Sequence, residues 1–135
     1  MGVVIDTSVI IAAEKGKVDF SKLQQTDQTY ITAITVTELL VGVECADTEA
    51  RRIKRSAFIE HVISSVTVLP FDIEEGRVYA RLLGSLLKER ITIGTHDMII
   101  AATAIAGGYP VLTMNSRDFI RIKGLEVLLV QNKKG

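Results

Sequence analysis

Apolar and β-branched residues along this 135-residue chain fall into short continuous runs and longer segments with helical spacing. The short runs cover residues 3–5, 30–33, 66–69, 111–114 and 127–130, and their composition is typical of buried β-strands. The longer segments repeat apolar residues every three or four positions, as in Val36, Leu39, Leu40 and Val43 or in Tyr79, Leu82, Leu83 and Leu86. This spacing predicts amphipathic helices between the strands.

Two helical segments have features of their own. Residues 98–106 are apolar on nearly every side, with only Thr103 as an interruption, and Gly107 and Gly108 follow. This pattern predicts a core helix that is buried on both sides and ends at the glycines. Residues 47–63 mix apolar and charged positions and predict an extra helix, so the connection before the third strand should contain two helices.

Continuous apolar strands that alternate with helices are typical of a mostly parallel sheet covered on both faces. We therefore expect an α/β fold, a three-layer sandwich with a central sheet of about five strands. A chain of this length has room for one sizeable core. No repeat or linker divides the sequence, so residues 1–130 are predicted to form a single domain and residues 131–135 a short tail.

Composition limits the class of protein. A hydrophobic fraction of 47% with 24% charged residues excludes a disordered chain. Sixteen basic and sixteen acidic residues give zero formal charge, so a polyanion must be bound by a local surface. No uncharged apolar stretch approaches the roughly 20 residues that span a bilayer. The single cysteine, Cys45, and an apolar start interrupted at Asp6 favour a cytoplasmic protein over a secreted one.

Four acidic residues fall beyond the carboxyl ends of predicted strands, where open α/β sheets build their sites. Asp6 ends the first strand, Glu38 follows the second, Asp97 opens the apolar helix and Asp118 follows the fourth strand. Carboxylates at one edge repel one another, and a divalent cation would offset that repulsion. Without a cluster of His or Cys, oxygen ligands indicate Mg²⁺ or Mn²⁺ and not zinc.

Each acid also has a purely structural explanation, because helix N-termini attract acidic residues. Thr35 and Glu38 match a capping box, and Asp97 suits the first turn of the apolar helix. Asp6 could cap the first helix, and residues 115–118 match a cap for a short helix. Taken singly, the acids leave capping and catalysis open.

Two further features receive weaker interpretations. His96 adjoins Asp97, but Mg²⁺ rarely takes imidazole, so we assign this histidine no role. A run of basic residues could bind phosphates. Because its side chains would spread around a helix, however, solvated charge with partner contact is the more typical explanation. The run consists of Arg51, Arg52, Lys54 and Arg55.

Other α/β classes with acids at strand ends fit less well. A response-regulator receiver would carry its phosphoacceptor at the end of the third strand, where Asp72 has the pattern of an N-cap with Glu74 and Glu75 in the first turn. A haloacid-dehalogenase-type phosphatase needs a second acid two residues after Asp6, where Ser8 stands.

Four short motifs contain the candidate acids: Val4-Ile5-Asp6-Thr7-Ser8, Thr37-Glu38-Leu39, residues 97–102 and residues 113–119. In order and spacing they resemble the PIN domain family and, within it, the VapC-type toxin ribonucleases of type II toxin–antitoxin systems. The resemblance covers essentially the whole chain. By this resemblance Asp6, Glu38, Asp97 and Asp118 fall on the family's acidic positions. The family's supporting polar positions, which hold the carboxylates or a ligating water, are matched by Thr7, Ser8 and Asn115.

The resemblance implies a Mg²⁺- or Mn²⁺-dependent endoribonuclease that acts as a toxin. It also implies a homodimer, and an antitoxin whose C-terminal segment blocks the acidic site. We expect Asp6 and Asp97 to hold the principal metal, while Glu38 and Asp118 orient an attacking water or bind a second, weaker ion. The expected substrate is tRNA, although an rRNA loop or an mRNA presents the same phosphodiester. The alternative is a non-catalytic PIN-like module that binds RNA or protein.

Overall fold

A parallel sheet forms the centre of the protein in the computed structural model, which describes residues 2–26 and 28–130 and their side chains except those of residues 25 and 26. Its strands are β1 (Gly2–Ile5), β2 (Gln28–Thr32), β3 (Thr67–Leu69), β4 (Val111–Thr113) and β5 (Val127–Leu129). Every pairing is parallel, in the order β3-β2-β1-β4-β5. The predicted α/β fold and its five strands are confirmed, and the predicted tail, residues 131–135, lies outside the described residues.

Helices cover both faces of this sheet. They are α1 (Thr7–Glu14), α2 (Phe20–Thr26), α3 (Ala33–Glu44), α4 (Glu49–Ser65), α5 (Ile73–Lys88) and α6 (Thr95–Gly107). A short 3-10 helix, Phe119–Arg121, follows β4. As predicted, α3 and α4 both lie in the connection between β2 and β3, and α6 is the mostly buried apolar helix. None of the helices in the described ranges is long and apolar enough to cross a membrane.

Successive side chains of each strand point to opposite faces of the sheet, so every strand contributes to two cores. Val4 and Tyr30 pack on the face covered by α5 and α6, in a core that includes Met98. Ile5 and Ile31 pack on the other face, against α1, α3 and α4. This alternation produces the predicted three-layer sandwich.

Local signals set the ends of the helices. Asp72 is confirmed as the N-cap of α5, because its carboxylate accepts from the Ile73 amide while the Glu75 side chain accepts from the Asp72 amide at 2.8 Å. The C-terminal end of the apolar helix α6 is set by Gly108, which adopts the left-handed conformation with φ 76°. Glycine adopts this conformation without a steric penalty. The glycine pair therefore ends α6 as predicted.

The strand order changes direction beside β1. From β1 the chain builds β2 and β3 on one side, and then β4 and β5 on the other. In open α/β sheets, such a switch point leaves a crevice beyond the carboxyl ends of the two central strands, and ligands bind there. Asp6 directly follows β1 and Thr113 ends β4. The topology thus places both residues at the crevice.

Candidate active site

Asp6 is held at the end of β1 by two hydroxyl groups. Ser8 Oγ donates to Asp6 Oδ2 at 2.7 Å, and Thr113 Oγ1 donates to the same oxygen at 2.8 Å. The amides of Met114 and Asn115 orient these hydroxyls by donating to Ser8 Oγ and Thr113 Oγ1. Asp6 is only 6% exposed, and hydrogen bonds to its charge offset the cost of burial. Its side chain does not cap α1, so the capping explanation fails here.

Glu38 lies in the second turn of α3 and is contacted by side chains from two other helices. Thr7 Oγ1, at the start of α1, donates to Glu38 Oε1 at 2.8 Å. His96 Nδ1, in the first turn of α6, lies 3.1 Å from Glu38 Oε2. The capping box considered for Thr35 does not form, because Thr32 is the N-cap of α3 and accepts from the Thr35 amide. Glu38 is therefore directed toward neighbouring helices and not toward its own helix end.

A chain of buried hydroxyls lies beneath Glu38. Thr32 donates to Thr35 at 3.2 Å, and the hydroxyls of Thr35 and Thr7 lie 3.1 Å apart. Each hydroxyl has one proton, and an ionised carboxylate only accepts. Thr7 is placed to donate both to Thr35 and to Glu38, so its single proton is shared between these two acceptors. Thr32 and Thr35 are 1% and 0% exposed, so the chain is a fixed part of the core that holds Thr7 in place.

Asp97, in the first turn of α6, is the acid whose ionisation is disfavoured. Burial and the charges of Asp6, Asp118 and Glu38 raise the pKa of Asp97 to about 6, while His96 acts in the opposite direction. A carboxylate near a helix N-terminus is normally stabilised in its charged form. The raised pKa of Asp97 therefore reflects its burial first and then the repulsion from the neighbouring acids.

Asp118 is held more loosely. It precedes the 3-10 helix, makes no side-chain cap, and lies 3.5 Å from Arg121 Nη1. Its side chain is 39% exposed, compared with 29% for Glu38. Asn115 Oδ1 accepts from the Arg117 amide at 3.3 Å and stabilises the turn before Asp118. Of the cap considered for residues 115–118, Asn115 thus accepts from the amide two positions on, as an N-cap does, while Asp118 makes no capping bond to the 3-10 helix.

Asp6, Glu38, Asp97 and Asp118 form an acidic cluster, and its chemistry suits a hard divalent cation. Its ligand atoms are carboxylate oxygens, which Mg²⁺ and Mn²⁺ prefer, and the mutual repulsion reported by Asp97 would be relieved by positive charge. Within residues 2–26 and 28–130, however, no three His, Cys, Asp or Glu side chains are already arranged to hold a metal. The acids therefore converge without forming a preassembled ligand cage.

The predicted basic run lies on α4 and is largely engaged with nearby acceptors. Arg51 pairs with Asp47 at 2.7 Å, and Arg52 pairs with Glu49. Arg55 Nε lies 3.3 Å from a Glu14 carboxylate oxygen, and its Nη1 donates to a backbone carbonyl of α3 at 2.9 Å. These contacts fit the interpretation that the basic side chains are solvated or form structural ion pairs. Phosphate binding by the run stays a prediction.

Sequence reasoning missed His96 and Thr113 as parts of the site. Each is adjacent to a recognisable signal, since His96 precedes Asp97 and Thr113 ends the strand beside β1. Their partners lie 58 and 107 positions away along the chain. A local pattern contains no information about contacts at that separation.

Comparison with known proteins places this fold and site in a family. The PIN domain model matches residues 3–125. The chain is 57% identical over 133 residues to Ribonuclease VapC1 of Rickettsia felis and 52% identical over 133 residues to Ribonuclease VapC of Rickettsia bellii; both alignments cover 98% of this chain and 99% of the relative. The crystal structure of VapBC-5 from Mycobacterium tuberculosis, a member of the VapBC family of toxin-antitoxin systems, superposes with a TM-score of 0.79 at 31% identity, covering 96% of this chain and 98% of that chain.

These matches run across nearly the whole chain, and the range matched by the family model contains the positions of all four acids. The chain belongs to the PIN domain family and, within it, to the VapC group. The predicted family is thereby confirmed.

Proposed function

We propose that this protein is an endoribonuclease that requires Mg²⁺ or Mn²⁺ and acts as the toxin of a toxin–antitoxin pair. The observation that carries the proposal is the acidic cluster at the switch point, where burial and the charges of Asp6, Asp118 and Glu38 raise the pKa of Asp97. Such a concentration of charge is costly unless it serves a site. The names of the relatives, Ribonuclease VapC1 and Ribonuclease VapC, indicate the reaction class.

In this proposal, Asp6 and Asp97 are the residues that hold the cation. When bound, a divalent cation lowers the pKa of a water molecule, polarises a phosphate oxygen and stabilises the charge of an in-line displacement. The Asp6 carboxylate is already oriented before a cation binds, because the hydroxyls of Ser8 and Thr113 donate to its Oδ2. No covalent intermediate on the protein is needed.

Glu38 and Asp118 are assigned to the attacking water or to a second, weaker ion. Glu38 is the better candidate for orienting the water, because Thr7 and His96 restrict both of its oxygens. A carboxylate fixed in this way can accept a proton from water as the water oxygen bonds to phosphorus. The P–O bond to the ribose oxygen breaks at the same time, and that oxygen takes a proton from solvent. Asp118 is more exposed, which suits contact with the RNA strand or a weakly held ion.

The proposed protein partner is an antitoxin whose segment covers the acidic site. Beside Glu38, α1, α3 and α4 border a groove of about 210 Å³. Its apolar lining includes Ile10, Ile11, Leu39 and Ile59, and Ile11 is 42% exposed. An apolar segment in this groove would obstruct access to Glu38. The relation to VapBC-5, a member of a family of toxin-antitoxin systems, supports this partner.

We also propose that two copies of the chain associate. Apolar side chains on two helices remain exposed in the single chain, including Leu40 and Val41 on α3 and Ile73 and Leu87 on α5. Their exposed fractions run from 39% to 65%. Contact between equivalent surfaces would bury such side chains in a twofold dimer.

The catalytic proposal is tested by RNA cleavage with purified protein and a panel of tRNA, rRNA and mRNA transcripts. We expect cleavage in Mg²⁺ or Mn²⁺ and none in excess EDTA. Asp6→Asn and Asp97→Asn keep the side-chain size but remove a charge, so each should lower the rate by about 100-fold or more. The matched control is Asp47→Asn, which removes a surface carboxylate paired with Arg51 and should leave the rate unchanged.

Two results would contradict the proposal. Wild-type cleavage by folded Asp97→Asn would remove that residue from the site. Tight RNA binding without cleavage, in any divalent cation, would favour the non-catalytic PIN-like module instead. If cleavage occurs, mapping RNA ends after induced expression would identify the substrate, with tRNA as the expected one.

A further inference from the structure

His96 connects the first turn of α6 to the proposed catalytic carboxylate of α3. Its Nδ1 lies 3.1 Å from Glu38 Oε2, while Thr7 donates to Glu38 Oε1 from the opposite side. The imidazole side chain is 56% exposed, and Nε2 makes no hydrogen bond within the described residues. The contact with Glu38 is thus the main polar interaction of this histidine.

We propose that His96 is a positioning residue of the nuclease site: its Nδ1–H donates to Glu38 Oε2 and fixes the direction in which this carboxylate faces the substrate. The inference rests on the proposed function. Glu has three side-chain torsions, and holding them in one arrangement costs conformational entropy. One donor at each oxygen restricts the plane of the carboxylate, which the Thr7 contact alone leaves free to rotate.

The contact also defines the state of the imidazole. In a neutral histidine one ring nitrogen carries the proton and the other is an acceptor. An ionised Glu38 accepts only, so Nδ1 must be the protonated nitrogen and Nε2 the acceptor. The proton on Nδ1 therefore serves as a test of whether the contact exists in solution.

A structural role would predict a different result on mutation. Exposed ion pairs contribute little to folding, and a side chain that is 56% exposed loses little packing when truncated. Removing His96 should therefore leave the thermal unfolding temperature nearly unchanged. A loss of turnover without a loss of stability points to positioning of Glu38.

The test compares three substitutions at this position. His96→Asn keeps a donor at the place of Nδ1, His96→Gln moves the amide to the place of Nε2, and His96→Ala removes both. We expect His96→Ala and His96→Gln to lower kcat by about 10-fold to 100-fold with little change in KM, as for other residues that orient a functional carboxylate. His96→Asn should recover most of kcat.

The chain provides a matched control in its other histidine. His61 is exposed on α4, away from the acidic cluster, so His61→Ala should have wild-type kcat and KM. Because His96 is argued to act through Glu38, His96→Ala should cause no further loss when added to Glu38→Ala. Additive losses in the double variant would overturn the proposal.

Imidazole ¹⁵N NMR supplies a measurement that does not depend on cleavage. At mildly alkaline pH we expect the wild-type His96 ring to be protonated at Nδ1, and the preference to be lost in Glu38→Ala. A proton on Nε2 in the wild type would overturn the proposal. So would equal kcat values for His96→Ala and the wild type, and that result would leave the nuclease proposal intact. The nuclease proposal itself is tested separately, by whether the wild type cleaves RNA.

Discussion

At the residue scale, Asp6 and Asp97 differ in the hydrogen bonds that their carboxylates receive. Asp6 is nearly buried but receives two hydroxyl hydrogen bonds, at 2.7 and 2.8 Å. Asp97 has no comparable donors among the described residues, and burial together with the neighbouring acids raises its pKa to about 6. Both burial and repulsion between carboxylates therefore disfavour the charged form of Asp97.

This difference predicts that Asp97→Asn stabilises the protein in the absence of divalent cations. A carboxyl whose folded pKa of about 6 exceeds its unfolded value of 3.8 binds its proton more tightly in the folded state. Wild-type stability contributed by this proton is present below about pH 4 and is lost as the pH rises to about 6. At pH 7, the variant should be more stable by about 1 to 2 kcal/mol, after allowance for solvent screening.

Thermal or urea unfolding in EDTA, at pH 7 and again near pH 4, measures this effect. The advantage of Asp97→Asn should shrink at the lower pH, where the wild-type carboxyl is protonated in the folded state and partly protonated in the unfolded state. Asp47→Asn controls for loss of a carboxylate outside the cluster, since Asp47 is exposed and paired with Arg51. An Asp97→Asn protein less stable than the wild type at pH 7 would contradict the explanation.

Several residue roles were accessible from the sequence and others were not. The four acids could be selected because they follow apolar strands or open an apolar helix. Whether each one caps a helix depended on neighbours distant in sequence: Thr113 is 107 positions from Asp6, and Thr7 is 31 positions from Glu38. Only the folded chain shows that Asp6 and Glu38 bond to these side chains and not to helix ends.

At the scale of elements, prediction succeeded where the apolar period was strong. All five strands appear, with ends displaced by at most two residues, and β2 ends at Thr32 because this residue caps α3. The missed element is α2, a seven-residue helix with the sequence FSKLQQT. Its two apolar residues give no recognisable helical period, so its formation depends on packing and not on local pattern.

The N-cap of α5 provides a prediction about an element that supports the site indirectly. Asp72 and Glu75 form a capping box, and α5 packs in the same core as α6, which carries Asp97. Asp72→Ala should reduce the free energy of unfolding by about 1 kcal/mol through loss of the cap. Asp72→Ser keeps a capping oxygen and should retain most of the stability.

Urea unfolding measures the loss, and RNA cleavage at a temperature where both proteins are folded shows whether the site is affected. We expect unchanged cleavage, because Asp72 lies at the end of α5 and outside the acidic cluster. A loss of turnover in folded Asp72→Ala would place this acid in the site, contrary to its assignment as a cap.

At the scale of the whole molecule, topology creates an acidic centre in a chain with no net charge. Sixteen basic residues balance sixteen acidic ones, but the two groups are not mixed evenly. The order β3-β2-β1-β4-β5 brings Asp6 to the switch point. Arg51 and Arg52 of α4 meanwhile pair with the nearby acids Asp47 and Glu49. A net charge of zero therefore does not show that acids are concentrated in one crevice. In the sequence, the only sign of this concentration is the position of the acids after the predicted strands.

This arrangement predicts that Mg²⁺ stabilises the whole fold. A ligand that binds only the folded state adds RT ln(1 + [L]/Kd), about 2.7 kcal/mol at 100 times Kd, and a cation also removes the repulsion centred on Asp97. Addition of Mg²⁺ or Mn²⁺ to EDTA-treated protein should raise the unfolding temperature in a concentration-dependent way, and chelation should reverse the change.

Asp97→Asn begins from a higher stability, yet it should gain much less from the cation because it lacks one ligand charge. A KCl control at matched ionic strength distinguishes cation binding at the cluster from general salt screening, because screening of the repulsion at Asp97 would stabilise the wild type equally in either salt. Equal gains in the wild type and Asp97→Asn would exclude Asp97 as a metal ligand.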